Sequence, residues 1–346
     1  MTALVRLAVA GAGLIGRRHI AAIRQSEGAE LAAVVDPTDG ARNVAASEGV
    51  AWFPDLSEMP DGQCHGVLLA TPNAVHVEGG LACVARRLPV LVEKPFAVSV
   101  TEGLALVKAA DSAGVPLLTG HHRRHNPLIV AAKRLIQEGA LGRPVSAHGM
   151  FWLAKPDDYF DVPWRREPGA GPILTNLIHD IDLMRFLLGD VVSVQAVLTN
   201  AVRGHAVEDA CSVVMEFASG LLATMSAADC VPAPWSWEFA SGENPAYPPA
   251  GAACYMIGGT EASLELPSLR LWRHEGKRSW WSPLSATVPP RPQGDPLVLQ
   301  VEQFARVIRG EEAPLVSGRE GLNTLAVTEA IRQAALENRR VSVAIH

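Results

Sequence analysis

Leu4-Val5-Arg6-Leu7-Ala8-Val9-Ala10 runs straight into Gly11-Ala12-Gly13-Leu14-Ile15-Gly16, and this junction decides the fold. The first stretch is almost wholly apolar and barely alternates, the pattern of a strand buried on both faces of a parallel sheet. The second is Gly-x-Gly-x-x-Gly, and a helical pattern starts at once with Arg17, Ile20 and Ile23. In that setting Gly11 permits the tight turn, Gly13 lets backbone N–H groups approach a pyrophosphate, and Gly16 lets helix pack on strand. Leu14 and Ile15 open the helix whose N-terminal dipole favours the anion. A second strand, Glu30–Val35, ends in Asp36, twenty residues past Gly16, where a carboxylate can hydrogen-bond the adenosine ribose hydroxyls. It also repels a 2′-phosphate, and Pro37 and Thr38 offer no arginine to receive one. NAD is therefore expected in preference to NADP.

Strand and helix patterns keep alternating to about residue 120: Arg42–Glu48 helical, Gly66–Ala70 strand, Ala74–Arg86 helical, Val90–Glu93 strand, Thr101–Ser112 helical, Val115–Thr119 strand. Such alternation predicts a doubly wound α/β sheet with ligands at the carboxyl ends of its strands, here a Rossmann domain over residues 1–120. Two polar stretches fall at those ends. Thr71-Pro72-Asn73, with His76 one turn on, follows one strand, and Glu93-Lys94-Pro95 follows the next. Thr71 and Asn73 suit either a helix cap or contact with the cofactor. Pro95 biases Lys94 toward extended backbone and so aims its ammonium, a group able to move protons near neutral pH only where its surroundings lower its pKa.

After Gly120 the order of elements changes. A helix, Leu128–Glu138, is followed by short strand patterns with turn signals between them, which predict an α+β domain over 121–346 with an open, mostly antiparallel sheet. A helix entered through Gly169-Ala170-Gly171-Pro172 and stopped by Gly189 carries Thr175, His179 and Asp182 at i, i+4 and i+7, with Asn176 on their flank. That polar stripe reads either as a buried network fixing the helix or as a catalytic wall. The aperiodic stretch Asp229–Tyr255, with Trp235 and Trp237, reads as a lid or substrate-shaping loop or as a subunit contact. The helices Leu297–Arg309 and Glu320–Glu337 are expected to pack back on the first domain. His121, His122 and His125 lie close together, but Arg123 and Arg124 stand between them and no carboxylate joins them, so no metal is expected. Arg123 or Arg124 instead suits an anion, either a substrate carboxylate or a cofactor phosphate.

Composition narrows the classes further. With 346 residues the chain is long enough for two domains, and 48% hydrophobic with 19% charged residues is ordinary for a globular protein. A net charge of −6 without a basic stripe argues against nucleic acid, and no run of about twenty apolar residues predicts a membrane span. The glycines that break up Met1–Gly16 suit a strand and turn better than a secretory leader. Five scattered cysteines with no Cys-x-x-Cys pair suggest neither disulfides nor zinc, and fit the cytoplasm.

Taken together, the glycine motif, Asp36-Pro37, Thr71-Pro72-Asn73 with His76, Glu93-Lys94-Pro95, Arg123-Arg124 before Asn126-Pro127, Trp164-Arg165, and the glycine-rich entry to His179 and Asp182 resemble the Gfo/Idh/MocA family, named for glucose-fructose oxidoreductase and inositol dehydrogenase. The resemblance spans nearly the whole chain. It implies a dimeric or tetrameric NAD(P)-dependent oxidoreductase acting on sugars, polyols or related hydroxy compounds, with Lys94 and His179 at the reacting carbinol. His76, Glu93, Lys94, Trp164 and Arg165 are expected to complete the cofactor contacts, and Thr175, Asn176 and, from the 229–255 loop, Trp235 the substrate contacts. The family often has an aspartate four residues before that histidine, where this chain has Thr175, so more of the proton transfer falls to Lys94. Two rival readings stay open: a dehydrogenase of a carboxylated cyclic dihydrodiol, suggested by Arg123-Arg124, and a non-catalytic NAD-binding sensor.

Overall fold

The computed structural model describes residues 3–346. The chain divides into two compact units, one running to His125 and including Gly294–Leu325 and His346, the other comprising Asn126–Gln293 and Ala326–Ile345. The first unit contains β1 (Val5–Ala10), α1 (Leu14–Gln25), β2 (Ala29–Val35), α2 (Asp39–Glu48), β3 (Ala51–Phe53), β4 (Gly66–Leu69), α3 (His76–Ala85), β5 (Val90–Val92), α4 (Val100–Ala113) and β6 (Leu117–Thr119). Its six strands are all parallel, in the order β3-β2-β1-β4-β5-β6.

The apolar run of β1 follows from burial on both faces. Leu7 and Val9 join a cluster with Ile20 and Ile23 of α1 and with Val301 and Phe304. Ala8 and Ala10 join the opposite cluster, with Val84, Leu106 and Val107. Strand order reverses between β1 and β4, and connections leaving the carboxyl ends of those two strands diverge to leave a crevice. The glycine loop leaves β1 and the Thr71 loop leaves β4, while Glu93-Lys94-Pro95 leaves β5 beside them.

The second unit contains α5 (Pro127–Gln137), β7 (Pro144–Trp152), α6 (Ile178–Leu188), β8 (Val191–Thr199), β9 (Ala210–Phe217), β10 (Leu222–Ala228), α7 (Trp237–Ser241), β11 (Tyr255–Gly259), β12 (Ser263–Leu266), β13 (Arg270–His274) and β14 (Leu284–Thr287). They are followed by α8 (Pro296–Ile308), counted with the first unit, α9 (Gly318–Glu337) and β15 (Val341–Ser342). The sheet has nine strands in the order β14-β13-β12-β11-β7-β10-β9-β8-β15. Every pairing is antiparallel except β7 with β10. One face is covered, because Ala147, Phe151, Val213, Met215 and Ile257 share a core with α5, α6 and the later turns of α9. The fold class is the one expected from the sequence.

One element differs from its sequence expectation. Residues 173–177 form a π turn rather than the start of an α-helix, with the Ile178 N–H bonded to the Ile173 carbonyl, and α-helix begins only at Ile178. The Glu208 carboxylate, 3.2 Å from the Ile173 N–H, holds the entry to this turn. A spacing of four residues across a π turn no longer carries the α-helical angle. Thr175 thus stands in the π turn, and His179 and Asp182 in the α-helix that follows it.

Candidate active site

In the first unit a cavity of about 750 Å³ opens at the reversal of strand order, lined among others by Gly11, Asp36, Thr38, Thr71, Pro72 and Glu78. Gly11 sits at φ +92°, and a Cβ there would lie 2.5 Å from the Ala70 carbonyl oxygen. A Cβ on Gly13, by contrast, would meet nothing within 4 Å. Gly13 is the N-cap of α1 and offers no side chain to the first-turn N–H groups, so those donors are left for an anion. Leu14, in that first turn, exposes 86% of its surface. Ile15 is half-buried behind it.

Asp36 ends β2 and is held firmly. One carboxylate oxygen accepts the Ala12 N–H at 2.9 Å, and the other accepts the Thr38 N–H at 2.9 Å and the Thr38 hydroxyl at 2.6 Å. Burial pushes its pKa up, but the Thr38 hydroxyl and the two N–H groups outweigh it and hold the carboxyl below its usual range. The Thr71 hydroxyl is buried without a hydrogen-bond partner. Asn73 is exposed in a short 3₁₀ turn, Asn73–Val75, that follows Pro72. An open cradle at Gly13, an orphaned hydroxyl at Thr71 and a fixed anion at Asp36 suit a dinucleotide.

Around Glu93-Lys94-Pro95 the structure brings in a residue that the sequence reading passed over. His19 of α1 is fully buried, with Nε2 2.6 Å from Glu93 Oε1, and Glu93 Oε2 accepts the Lys94 backbone N–H at 3.0 Å. Burial pushes the Glu93 carboxyl up, but His19, with smaller contributions from His122 and Lys94, brings it down to about 2. The Lys94–Pro95 peptide bond is cis. His76 is also buried, with Nδ1 2.9 Å from the Pro95 carbonyl and Nε2 2.9 Å from the Thr71 carbonyl. Both ring nitrogens are thus engaged by backbone.

Arg123, Arg124 and His125 lie in a buried 3₁₀ turn. Arg124 pairs with Glu320 at 2.9 Å, and burial pushes His125, bonded to Gln303, down to about 4. The two arginines are therefore buried within the turn rather than spread as an exposed patch. Among the described residues no three His, Cys, Asp or Glu side chains converge to hold a metal ion.

In the second unit the Thr175 hydroxyl lies 2.9 Å from the Gly171 carbonyl and 2.8 Å from Asn176 Oδ1, and accepts from Lys155 Nζ at 3.4 Å. Lys155 is buried against Asp229 at 3.0 Å, and Arg203 bonds Asp229 and Asp209 behind it. Burial pulls the Lys155 pKa down against the pull of Asp229. His179 lies in the first turn of α6 and is buried, as is Asp182, while Asp180 accepts the Tyr255 hydroxyl. Trp164 is exposed in a short turn, and Arg165 spreads over the Tyr159 ring at 4.1 Å. The 229–255 segment is anchored in its middle: Ser236 caps α7, and Trp237 is buried and stacked on Tyr255. Trp235 stays partly exposed, edge-on to Trp152.

Residues 5–121 match the model of the oxidoreductase family with an NAD-binding Rossmann fold, and residues 129–265 match the GFO/IDH/MocA C-terminal domain. The chain is 30% identical over 333 residues to the rhizopine catabolism protein MocA of Rhizobium meliloti, covering 94% of this chain and 93% of that protein. It is 28% identical over 347 residues to D-apiose dehydrogenase of Paraburkholderia graminis, covering 97% and 89%. Among solved structures, an oxidoreductase from Agrobacterium radiobacter in complex with NAD+, L-tartaric acid and magnesium superposes with a TM-score of 0.85 at 21% identity, covering 98% of both chains, a likeness of fold. The chain belongs to the Gfo/Idh/MocA oxidoreductase family, and its first unit is the NAD-binding Rossmann domain.

Proposed function

We propose that this member of the family is a dehydrogenase that oxidises a secondary alcohol of a sugar, polyol or related hydroxy compound, or reduces the matching ketone. Lys94 takes the hydroxyl proton and His179 assists or orients the reacting group. Bound NAD supplies the hydride acceptor at its nicotinamide ring. Gly13 and the first turn of α1 hold the pyrophosphate, Asp36 the adenosine ribose, and Thr71, Pro72 and Asn73 flank it. Trp164 and Arg165 complete the cofactor contacts, and Arg123, Thr175, Asn176 and Trp235 contribute to substrate recognition. The observation that carries this reading is the open cradle over Gly13 beside a carboxylate fixed at the end of β2. The named activities of the relatives, a D-apiose dehydrogenase among them, support it.

The test is a screen of sugars, polyols and hydroxy acids for nicotinamide reduction, with NAD and NADP in parallel. Turnover of at least one alcohol is expected, and NADH binding without turnover across the panel would mark a sensor instead. For the cofactor, NAD is expected to be preferred. Asp36 would break three hydrogen bonds to move aside, so a 2′-phosphate meets a fixed anion. Asp36→Ser is expected to narrow the NAD:NADP ratio of kcat/KM by about 10-fold or more, and a wild-type preference for NADP would overturn this role.

We further propose a homo-oligomer that works in the cytoplasm. Opposite its helix-covered face, the nine-stranded sheet leaves Val197 67%, Val214 49% and Leu222 55% exposed on neighbouring strands β8, β9 and β10. These exposed apolar side chains on three neighbouring strands, interleaved with Gln195, Ser212 and Thr224, support burial against a second copy. A dimer or tetramer is expected by sedimentation, and Val214→Arg is expected to dissociate it; a monomeric wild type sinks the idea. Burial pushes Cys83 and Cys211 up to about 12, which keeps them as inert thiols suited to a reducing cytoplasm.

A further inference from the structure

We propose that His19 and His76 are positioning residues that clamp Glu93-Lys94-Pro95 from its two flanks and so aim the Lys94 side chain. This rests on the reading of Lys94 as the proton-transfer group. An ionised carboxylate only accepts hydrogen bonds, so the contact between His19 and Glu93 requires a proton on Nε2. His19 Nδ1 is buried without a hydrogen-bond partner, so the ring's one hydrogen bond is the contact with Glu93. Glu93 then spends its second oxygen on the Lys94 N–H. Gly120 lies against this carboxylate, where a Cβ would come within 2.7 Å of Glu93 Oε1, so no side chain crowds the latch. The first flank of the segment is therefore tied to α1, the helix that begins at the glycine loop.

His76 ties the other flank. Its ring stands between the Pro95 carbonyl and the Thr71 carbonyl, 2.9 Å from each. The loop leaving β4 and the loop leaving β5 thus share one buried ring. Between a residue locked at 93 and a carbonyl locked at 95, Lys94 starts from a fixed backbone. Holding a catalytic group in place is worth a large share of a rate enhancement, and a displacement of about 1 Å costs on the order of 10²-fold. Neither histidine is assigned contact with substrate.

The test compares His19→Leu, which removes the donor, with His19→Gln, which keeps one, and uses Lys94→Met as reference. Kinetics are run with the alcohol turned over fastest in the panel. His19→Leu is expected to lower kcat about 10–100-fold with NADH affinity little changed. The charged and titratable groups facing Glu93 are His19, His122 and Lys94. Without His19, burial is less opposed and the carboxyl titrates higher, so kcat/KM is expected to gain an acid limb between about pH 5 and 7. His19→Gln is expected to lack that limb and to recover most of the rate.

A substrate-free arm reads the same latch by thermal melting. In the wild type the folded value of Glu93, about 2, lies below its ordinary 4.5, so its stabilisation is present above pH 4.5 and is lost as the pH falls toward 2. In His19→Leu the folded value rises, so acid relieves rather than harms the variant. The melting gap between wild type and His19→Leu is expected to narrow from pH 7 to pH 4.5. A gap that does not change with pH overturns the clamp, as do equal losses in both His19 variants without a new limb. An inactive Lys94→Met beside a His19→Leu enzyme of wild-type rate and profile also overturns it, while leaving the reading of Lys94 intact. A Lys94→Met enzyme of normal rate overturns that underlying reading instead.

Discussion

Lys94→Met is expected to lower kcat by about 10²–10⁴-fold while the dissociation constant for NADH stays within a few-fold of wild type. Methionine keeps an unbranched stem of similar length and removes only the ammonium, so the loss reports proton transfer rather than packing. The backbone on either side is held by other residues, His19 through Glu93 and His76 through the Pro95 carbonyl, which the substitution leaves in place. The glycine loop and Asp36, where the cofactor is expected to bind, are untouched. Steady-state rates with NADH fluorescence titration separate the two effects, and near-normal turnover with intact binding would show that Lys94 is not the proton-transfer group. Thr175 stands where the family often has a carboxylate, and it is bonded by Lys155 rather than by an acid. The Lys94 effect is therefore expected to exceed that of His179→Gln.

Some of this site can be read from the sequence because its causes are local. A strand buried on both faces shows as an unbroken apolar run, and the glycines and Asp36 follow from the close approach of one loop to one helix. Other parts depend on contacts that no local pattern carries. His19 looks like an ordinary helix residue until the fold brings it to Glu93, 74 positions away. The π turn at 173–177 is held by a carboxylate 35 positions downstream, so the stripe through Thr175 and His179 takes a pitch that its spacing cannot reveal. Lys155 and Asp229 meet only when β7 and β10 pair side by side. Trp235 and Trp237 look alike in the sequence, and only depth separates them, with Trp237 in the core and Trp235 at its edge.

The two helix-entry glycines are expected to fail in opposite ways. Gly13→Val places its branches in open space, since even a Cβ meets nothing within 4 Å, so the melting temperature is expected to stay within a few degrees of wild type. The same branches occupy the approach to the first-turn N–H groups of α1. NADH affinity is therefore expected to fall by about 100-fold or more, the loss of a phosphate cradle that depends on close backbone contact. Gly16→Val meets the reverse situation. Its Cβ alone would lie 1.9 Å from the Gly11 carbonyl oxygen, a backbone atom that can move only if α1 parts from β1. Overpacking of that kind in a packed core typically costs about 1–3 kcal/mol, and more where backbone must move, and the variant is expected to melt far lower or to accumulate as aggregate. Parallel melting curves and NADH titrations distinguish the cases. A stable Gly13→Val protein that binds NADH as tightly as wild type would remove the cofactor from the helix entrance, whatever Gly16→Val does.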